Sequence, residues 1–178
     1  SEVYAGTLQY YGLAFPTKEN TPLTITNLNE ARSTYMLSKI YGESLCVNSM
    51  LPITIIRPHN FYGPRMGLSH VIPELMKKAI ESKNSKIDVF SINHQRTFCY
   101  IDDAVDSIHK LAESKKSIGK AYNIGDDTEE TTMADLSKRI IKIVGKELTI
   151  NPQPTTPGSP ERRCPSISKL KNDINYVK

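Results

Sequence analysis

The strongest constraint on this chain is an alternation of two periodicities. Ile53-Thr54-Ile55-Ile56 is a compact β-branched run, as expected of a buried strand. Before it, residues 29 to 50 contain no proline and carry Ala31, Met36, Leu37, Ile40, Leu45 and Met50, a helical pattern that stops ahead of Pro52. The exchange recurs downstream. A turn rich in Gly, Pro and Asn from Arg57 to His70 leads into a helix from about Val71 to Ser82. Ile87 to Phe90 and Thr97 to Ile101 read as short strands, and Asp102 or Asp103 caps a helix running to about Ser114. Ala121 to Ile124 is a strand, and Thr131 or Thr132 caps a helix from Met133 to Val144, which Gly145 ends in the left-handed position. Residues 151 to 165 are Pro-rich and loop-like, Ser1 to Tyr4 read as the end of a strand, and residues 5 to 28 form a long loop of the kind that covers a site. Strands alternating with helices predict an α/β fold.

At 178 residues the chain can bury one core, and its Ser start suggests a piece of a longer protein. With no bilayer-length apolar run and no signal-peptide pattern, the expectation is a soluble cytoplasmic protein without a membrane partner. Cys46, Cys99 and Cys164 are odd in number and lack Cys-x-x-Cys spacing, which argues against a disulfide framework or a metal site. The net charge of +4 is spread along the chain rather than gathered in a basic stripe, so no nucleic-acid partner is expected. A few arginines suit a small anionic ligand better.

Tyr35-Met36-Leu37-Ser38-Lys39 sits inside the first predicted helix. Residues i and i+4 share a helix face, so a phenol and an ammonium point the same way. An adjacent ammonium favours a phenolate, and a phenolate can take a proton from an alcohol. With nine tyrosines in the chain, one such pair can arise by chance, so its neighbours must carry the case.

Those neighbours are Ser1-Glu2-Val3-Tyr4 upstream, then Arg57-Pro58-His59-Asn60-Phe61-Tyr62-Gly63-Pro64-Arg65, Arg96-Thr97-Phe98-Cys99-Tyr100-Ile101-Asp102-Asp103 and Tyr122-Asn123-Ile124-Gly125. In this order, around Ser33 to Lys39, they resemble the extended short-chain dehydrogenase/reductases of the NAD-dependent nucleotide-sugar epimerase/dehydratase family, over nearly the whole chain. The resemblance implies the C-terminal part of a Rossmann-like doubly wound sheet plus a smaller α/β substrate-binding region. Residues 1 to about 70 would complete the NAD-binding half, and about 71 to 178 would bind the nucleotide sugar. It implies Tyr35 as general acid/base, Lys39 on the nicotinamide ribose, and Pro58 and His59 beside the nicotinamide. It places Asn60 at the sugar or diphosphate, Arg96 with Arg162 and Arg163 on the diphosphate, and Asn123 at a substrate position. An Arg fork matches phosphate oxygens better than a Lys point charge. The cofactor implied is NAD rather than NADP.

The chain also departs from that pattern. The Ser or Thr that partners the Tyr in the family would precede Ser1, and no Gly-x-Gly-x-x-Gly turn occurs. Ser159 and Ser166 replace acidic residues common in the family's last loop, which leaves Arg162 and Arg163 as alternatives for one position. In the family, C4 oxidation gives a 4-keto sugar, which is then epimerised or dehydrated. Decarboxylation of a nucleotide glucuronate is the alternative, because its ketone stands β to the carboxylate. Glu2 sits where dehydratases and decarboxylases place a catalytic or water-ordering Glu. A non-catalytic ligand-sensing or scaffold member is the reading from another class, and the presence of both Tyr35 and Lys39 speaks against it. The parent is expected to be a homodimer through the Tyr-bearing helix, and the fragment alone is expected to be inactive.

Overall fold

The computed structural model describes residues 2–176. Its order of elements is a 3-10 turn at Glu2–Tyr4, α1 at Ala5–Tyr11, α2 at Ser33–Val47, β1 at Ile55–Pro58, β2 at Phe61–Tyr62 and α3 at Val71–Glu81. β3 at Lys86–Phe90, β4 at Gln95–Arg96, β5 at Cys99–Tyr100, α4 at Ile101–Glu113 and β6 at Ala121–Ile124 follow. After them come β7 at Thr131–Thr132, α5 at Met133–Val144, β8 at Thr149–Gln153, β9 at Arg162–Arg163 and α6 at Ser168–Ile174. The fold is α/β, as the alternation predicts.

β1 and β6 pair in parallel, Ile55 opposite Ala121 and Pro58 opposite Ile124. β2 pairs β5, and β3 pairs β8, again in parallel. β4 lies between an antiparallel β7 and a parallel β9. One core gathers Leu111 of α4, Tyr122 and Ile124 of β6 and Leu170 of α6; the other gathers Leu75 and Ala79 of α3, Ile87 and Val89 of β3 and Leu136 and Ile140 of α5. The two are interleaved along the chain, because α4 and β6 of the first lie between β3 and α5 of the second, and α6 follows both.

Three expectations fail locally. Glu2 to Tyr4 is a helical turn that continues into α1, in place of a strand end and a loop. Val3 and Tyr4, adjacent residues that would face opposite ways in a strand, are both buried. Gly6 lets α1 lie directly on the 22–26 segment, since a Cβ there would stand 1.9 Å from the Thr24 carbonyl oxygen. At α4, Tyr100 occupies the N-cap with no side-chain cap, and Asp102 and Asp103 lie inside the first turn, where their charge still suits the helix dipole. Residues 151 to 165 contribute to two strands, and α6 follows them. The α5 boundaries hold: Thr132 Oγ1 accepts from the Asp135 amide at 3.0 Å, and Gly145 adopts φ 72°. Among the described residues no helix is long and apolar enough to cross a membrane.

Candidate active site

β1 positions the site through its pleat. Successive strand side chains point to opposite faces, and from Ile56 to Asn60 burial alternates, with Arg57 and His59 buried and the residues between them more open. Pro58 and Asn60 line a cleft of about 820 Å³ together with Glu2, Tyr35, Lys39, Arg32 and Arg163. A second hollow of about 650 Å³ shares Asn60, Arg32 and Arg163 with it and adds Arg96, His94 and Phe90.

The structure brings Tyr35 and Lys39 together as the helical spacing requires. Lys39 Nζ lies 5.2 Å from the centroid of the Tyr35 ring, and Tyr35 remains 50% exposed toward the cleft. Asn60 adopts φ 43° and donates through Nδ2 to the Thr97 carbonyl at 3.0 Å, so its side chain is fixed at the wall. The Glu2 carboxylate accepts from Arg163 Nη2 at 2.5 Å and from Arg32. Glu2 therefore stands in the cleft as an ion-paired carboxylate shared by two guanidinium groups.

Arg96 is held differently. Its nitrogens donate to the Gln95 carbonyl at 2.7 Å, the Glu161 carbonyl at 3.1 Å, the Pro160 carbonyl at 2.5 Å and Ser159 Oγ at 3.1 Å. These acceptors are all neutral. Burial, with Arg163 and Arg32 as like charges nearby, pushes Arg96 down to about 10, against the opposing pull of Glu2. A guanidinium aimed by carbonyls and crowded by its own kind favours an added anion.

Three expected site residues stand elsewhere. His59 is 3% exposed and does not line the cleft: its Nε2 is 3.2 Å from Asn123 Oδ1, and its ring stacks on Tyr4 at 6.0 Å. It lies one residue from Pro58 on an alternating strand and so points behind the sheet. Burial above all, with Arg163 and Arg57 adding to it, holds its pKa well below the usual range, so the ring is neutral. Asn123 is fully buried, accepting from the Tyr4 hydroxyl at 2.9 Å and donating to the Thr17 and Ser166 carbonyls at 3.0 and 3.2 Å. It ties β6 to the loop after α1 and to the last segment, with nothing left for a ligand. Arg162 turns away from its neighbour Arg163, making two bonds to Glu130 at 2.7 and 2.5 Å and lying 4.5 Å over the Phe15 ring. Of the two alternatives, only Arg163 reaches the cleft.

Arg32 was not foreseen. It occupies the N-cap of α2 with φ 73°, three residues before Tyr35. Its signal was present in the sequence: a basic residue at a helix N-terminus opposes the dipole and needs an outside reason. The reason here is Glu2.

The NAD dependent epimerase/dehydratase family model matches residues 2–125. The chain is 29% identical over 180 residues to an uncharacterized UDP-glucose epimerase, YtcB, of Bacillus subtilis, covering 98% of this chain and 54% of that protein. It is 30% identical over 183 residues to UDP-glucuronic acid decarboxylase 1 of Arabidopsis thaliana, covering 99% of this chain and 40% of that one. The crystal structure of UDP-glucuronic acid 4-epimerase from Bacillus cereus in complex with NAD superposes with a TM-score of 0.78 at 28% identity, over 99% of this chain and 53% of that one. The chain thus spans about half the length of the relatives it matches.

Proposed function

The chain belongs to the NAD-dependent epimerase/dehydratase family, and from that premise we propose that its parent protein oxidises a nucleotide sugar at C4 and then epimerises or dehydrates the 4-keto sugar. The observation that carries this is the Tyr35/Lys39 pair on one face of α2, opening into the cleft that also holds Glu2, Pro58, Asn60 and Arg163. The parent is a cytoplasmic homodimer in this reading. For the dimer, α2 leaves Tyr41, Leu45 and Val47 exposed for a partner.

Lys39, Tyr35 and Pro58 fit the nicotinamide-ribose end of NAD: an ammonium and a phenol can bond ribose hydroxyls, and a proline leaves the wall smooth for a flat ring. The pyrophosphate end is not met by these residues, since the chain has no glycine-rich turn for it. Bound NAD supplies the hydride acceptor, which is also the returning donor.

In this mechanism Tyr35 takes the proton of the sugar 4-hydroxyl, and Lys39 stabilises the phenolate that accepts it. Arg96 and Arg163 hold the diphosphate, which fixes the sugar relative to Tyr35. Asn60, clamped on the Thr97 carbonyl, positions the sugar edge. For dehydration Glu2 takes the C5 proton, made acidic by the ketone, the 6-hydroxyl leaves as water on gaining a proton, and hydride at C6 with a proton at C5 completes the 4-keto-6-deoxy sugar; for epimerisation the ketone turns in the site, hydride comes back to its other face at C4 and Tyr35 returns the proton. Decarboxylation of a nucleotide glucuronate is the second reading, favoured by the identity to the Arabidopsis decarboxylase.

The test is to supply the full-length protein with NAD and nucleotide sugars and identify products. A C4 epimer or a 4-keto-6-deoxy sugar is the expected product, and loss of carbon dioxide from a nucleotide glucuronate would select the second reading. Binding of nucleotide sugars without any turnover would leave only the non-catalytic member.

A further inference from the structure

Arg57 stands behind the cleft and joins three separate segments. Its Nε and Nη2 donate to the two carboxylate oxygens of Glu43 on α2, at 2.9 and 2.6 Å. Its Nη1 donates to the Tyr4 hydroxyl at 2.7 Å and to the Glu19 carbonyl at 2.9 Å. The Tyr4 ring lies 5.1 Å from the same guanidinium. Only a planar fork can make these bonds together, because an ammonium donates from a single point.

Tyr35, Lys39 and Glu43 are spaced i, i+4 and i+8, so they form one stripe on α2, and all three line the cleft. Pinning Glu43 therefore sets the rotation of the helix that carries the acid/base pair. Tyr4 closes the turn that begins with Glu2, so the same guanidinium also sets where that carboxylate stands. The pair is largely buried, with side-chain exposures of 7% for Arg57 and 16% for Glu43. Buried ion pairs contribute little net stability compared with apolar packing, and their clearer use is to fix one geometry.

We infer that Arg57 is a positioning residue for the reaction, holding the Tyr35/Lys39 helix and the Glu2 turn in register across the cleft without forming part of its wall. This rests on the functional reading above. A displacement of about 1 Å at a reacting centre can cost about a hundredfold in rate, which is why one misplaced clamp would be felt in turnover first.

The experiment uses the full-length protein with NAD and the nucleotide sugar it turns over, measuring kcat, KM and thermal melting for Arg57→Lys, Tyr4→Phe, Glu43→Ala and Glu43→Gln. Arg57→Lys keeps the charge and loses the fork, and it should lower kcat about 10- to 100-fold while KM moves less than about threefold. Glu43→Gln keeps one acceptor oxygen and should recover part of the turnover lost in Glu43→Ala. Wild-type kcat in Arg57→Lys, or losses that follow the melted fraction alone, overturns the inference. Should Arg57→Lys fail to fold, Tyr4→Phe and Glu43→Gln decide it, and wild-type kcat in both overturns it. A wild-type protein that turns over no nucleotide sugar overturns the functional reading as well, whereas an active wild type indifferent to all four changes overturns the positioning role alone.

Discussion

The two faces of β1 use polar side chains in opposite ways. Behind the strand, Arg57, His59, Tyr4 and Asn123 are joined to one another and to backbone carbonyls by short hydrogen bonds and are all buried. In front, Tyr35 is half exposed and Arg96 meets only neutral acceptors. Residues one apart in sequence therefore fall into different roles: a group saturated by its neighbours holds the fold, and one left under-compensated is available to a ligand. Mutations on the two faces should separate accordingly, with front changes read in turnover and binding and back changes in stability, Arg57 excepted because its bonds to Glu43 reach the helix that carries Tyr35 and Lys39.

The largest effect belongs to the front. Tyr35→Phe removes one hydroxyl from an exposed ring and should lower turnover in the full-length protein by about 10²- to 10⁴-fold, with nucleotide-sugar affinity by calorimetry and the melting temperature nearly unchanged. Unchanged turnover would remove Tyr35 from its assigned role. On the back, Asn123→Ala takes the acceptor from the Tyr4 hydroxyl and the donor from the Ser166 carbonyl, while the Thr17 carbonyl keeps the Ser166 amide. Denaturant unfolding should show a loss of about 2–4 kcal/mol, since each buried group left without a partner costs on the order of 1–3 kcal/mol. The folded variant should still bind nucleotide sugar as well as the wild type, and a selective loss of binding would move Asn123 to the front.

How much of this division could be read from the sequence depended on distance along the chain. The Tyr35/Lys39 pair was legible because helical spacing alone places both side chains on one face. Arg96 is singled out by its motif, but its aim comes from carbonyls of residues 160 and 161, far away in sequence. His59 and Asn123 lie buried outside the cleft lining, because the motif locates the strand while the pleat decides which side of it a residue faces. The helix at the start was missed because Val3 and Tyr4 favour strands by propensity, and tertiary contact with residues 22–26 overrode that preference. Arg162 and Arg163 could not be told apart locally: the choice is made by Glu130 and Glu2, on segments remote from both.

His59 sharpens the comparison through pH. Its folded pKa lies below that of the unfolded chain because burial disfavours the charged ring. Below the unfolded value of about 6.5 the unfolded state binds the extra proton, so the stability is complete above that pH and falls as pH drops toward the folded value, by at most about 1.4 kcal/mol per unit. Urea unfolding at pH 7 and pH 5 should show His59→Gln losing less stability between the two than the wild type. Equal losses would mean that the ring does not stay neutral behind the strand.

The smallest expected effect comes from the residue pair that divides the two roles most finely. Arg162 and Arg163 are adjacent on β9, and the strand sends one to Glu130 and the other to Glu2. The Arg162 pair is partly solvated, at 42% and 24% side-chain exposure, so Arg162→Ala should cost only about 0.5–1 kcal/mol and leave nucleotide-sugar affinity untouched. Arg163→Ala removes a cation from the cleft and frees Glu2 from one of its two partners, so it should weaken affinity about tenfold or more, as loss of a charge-assisted bond to phosphate does. Calorimetry on the two variants reads the difference directly. If the two arginines weakened binding equally, the side of the strand would not be what separates ligand contacts from structural ones, and the contrast drawn across β1 would not extend to β9.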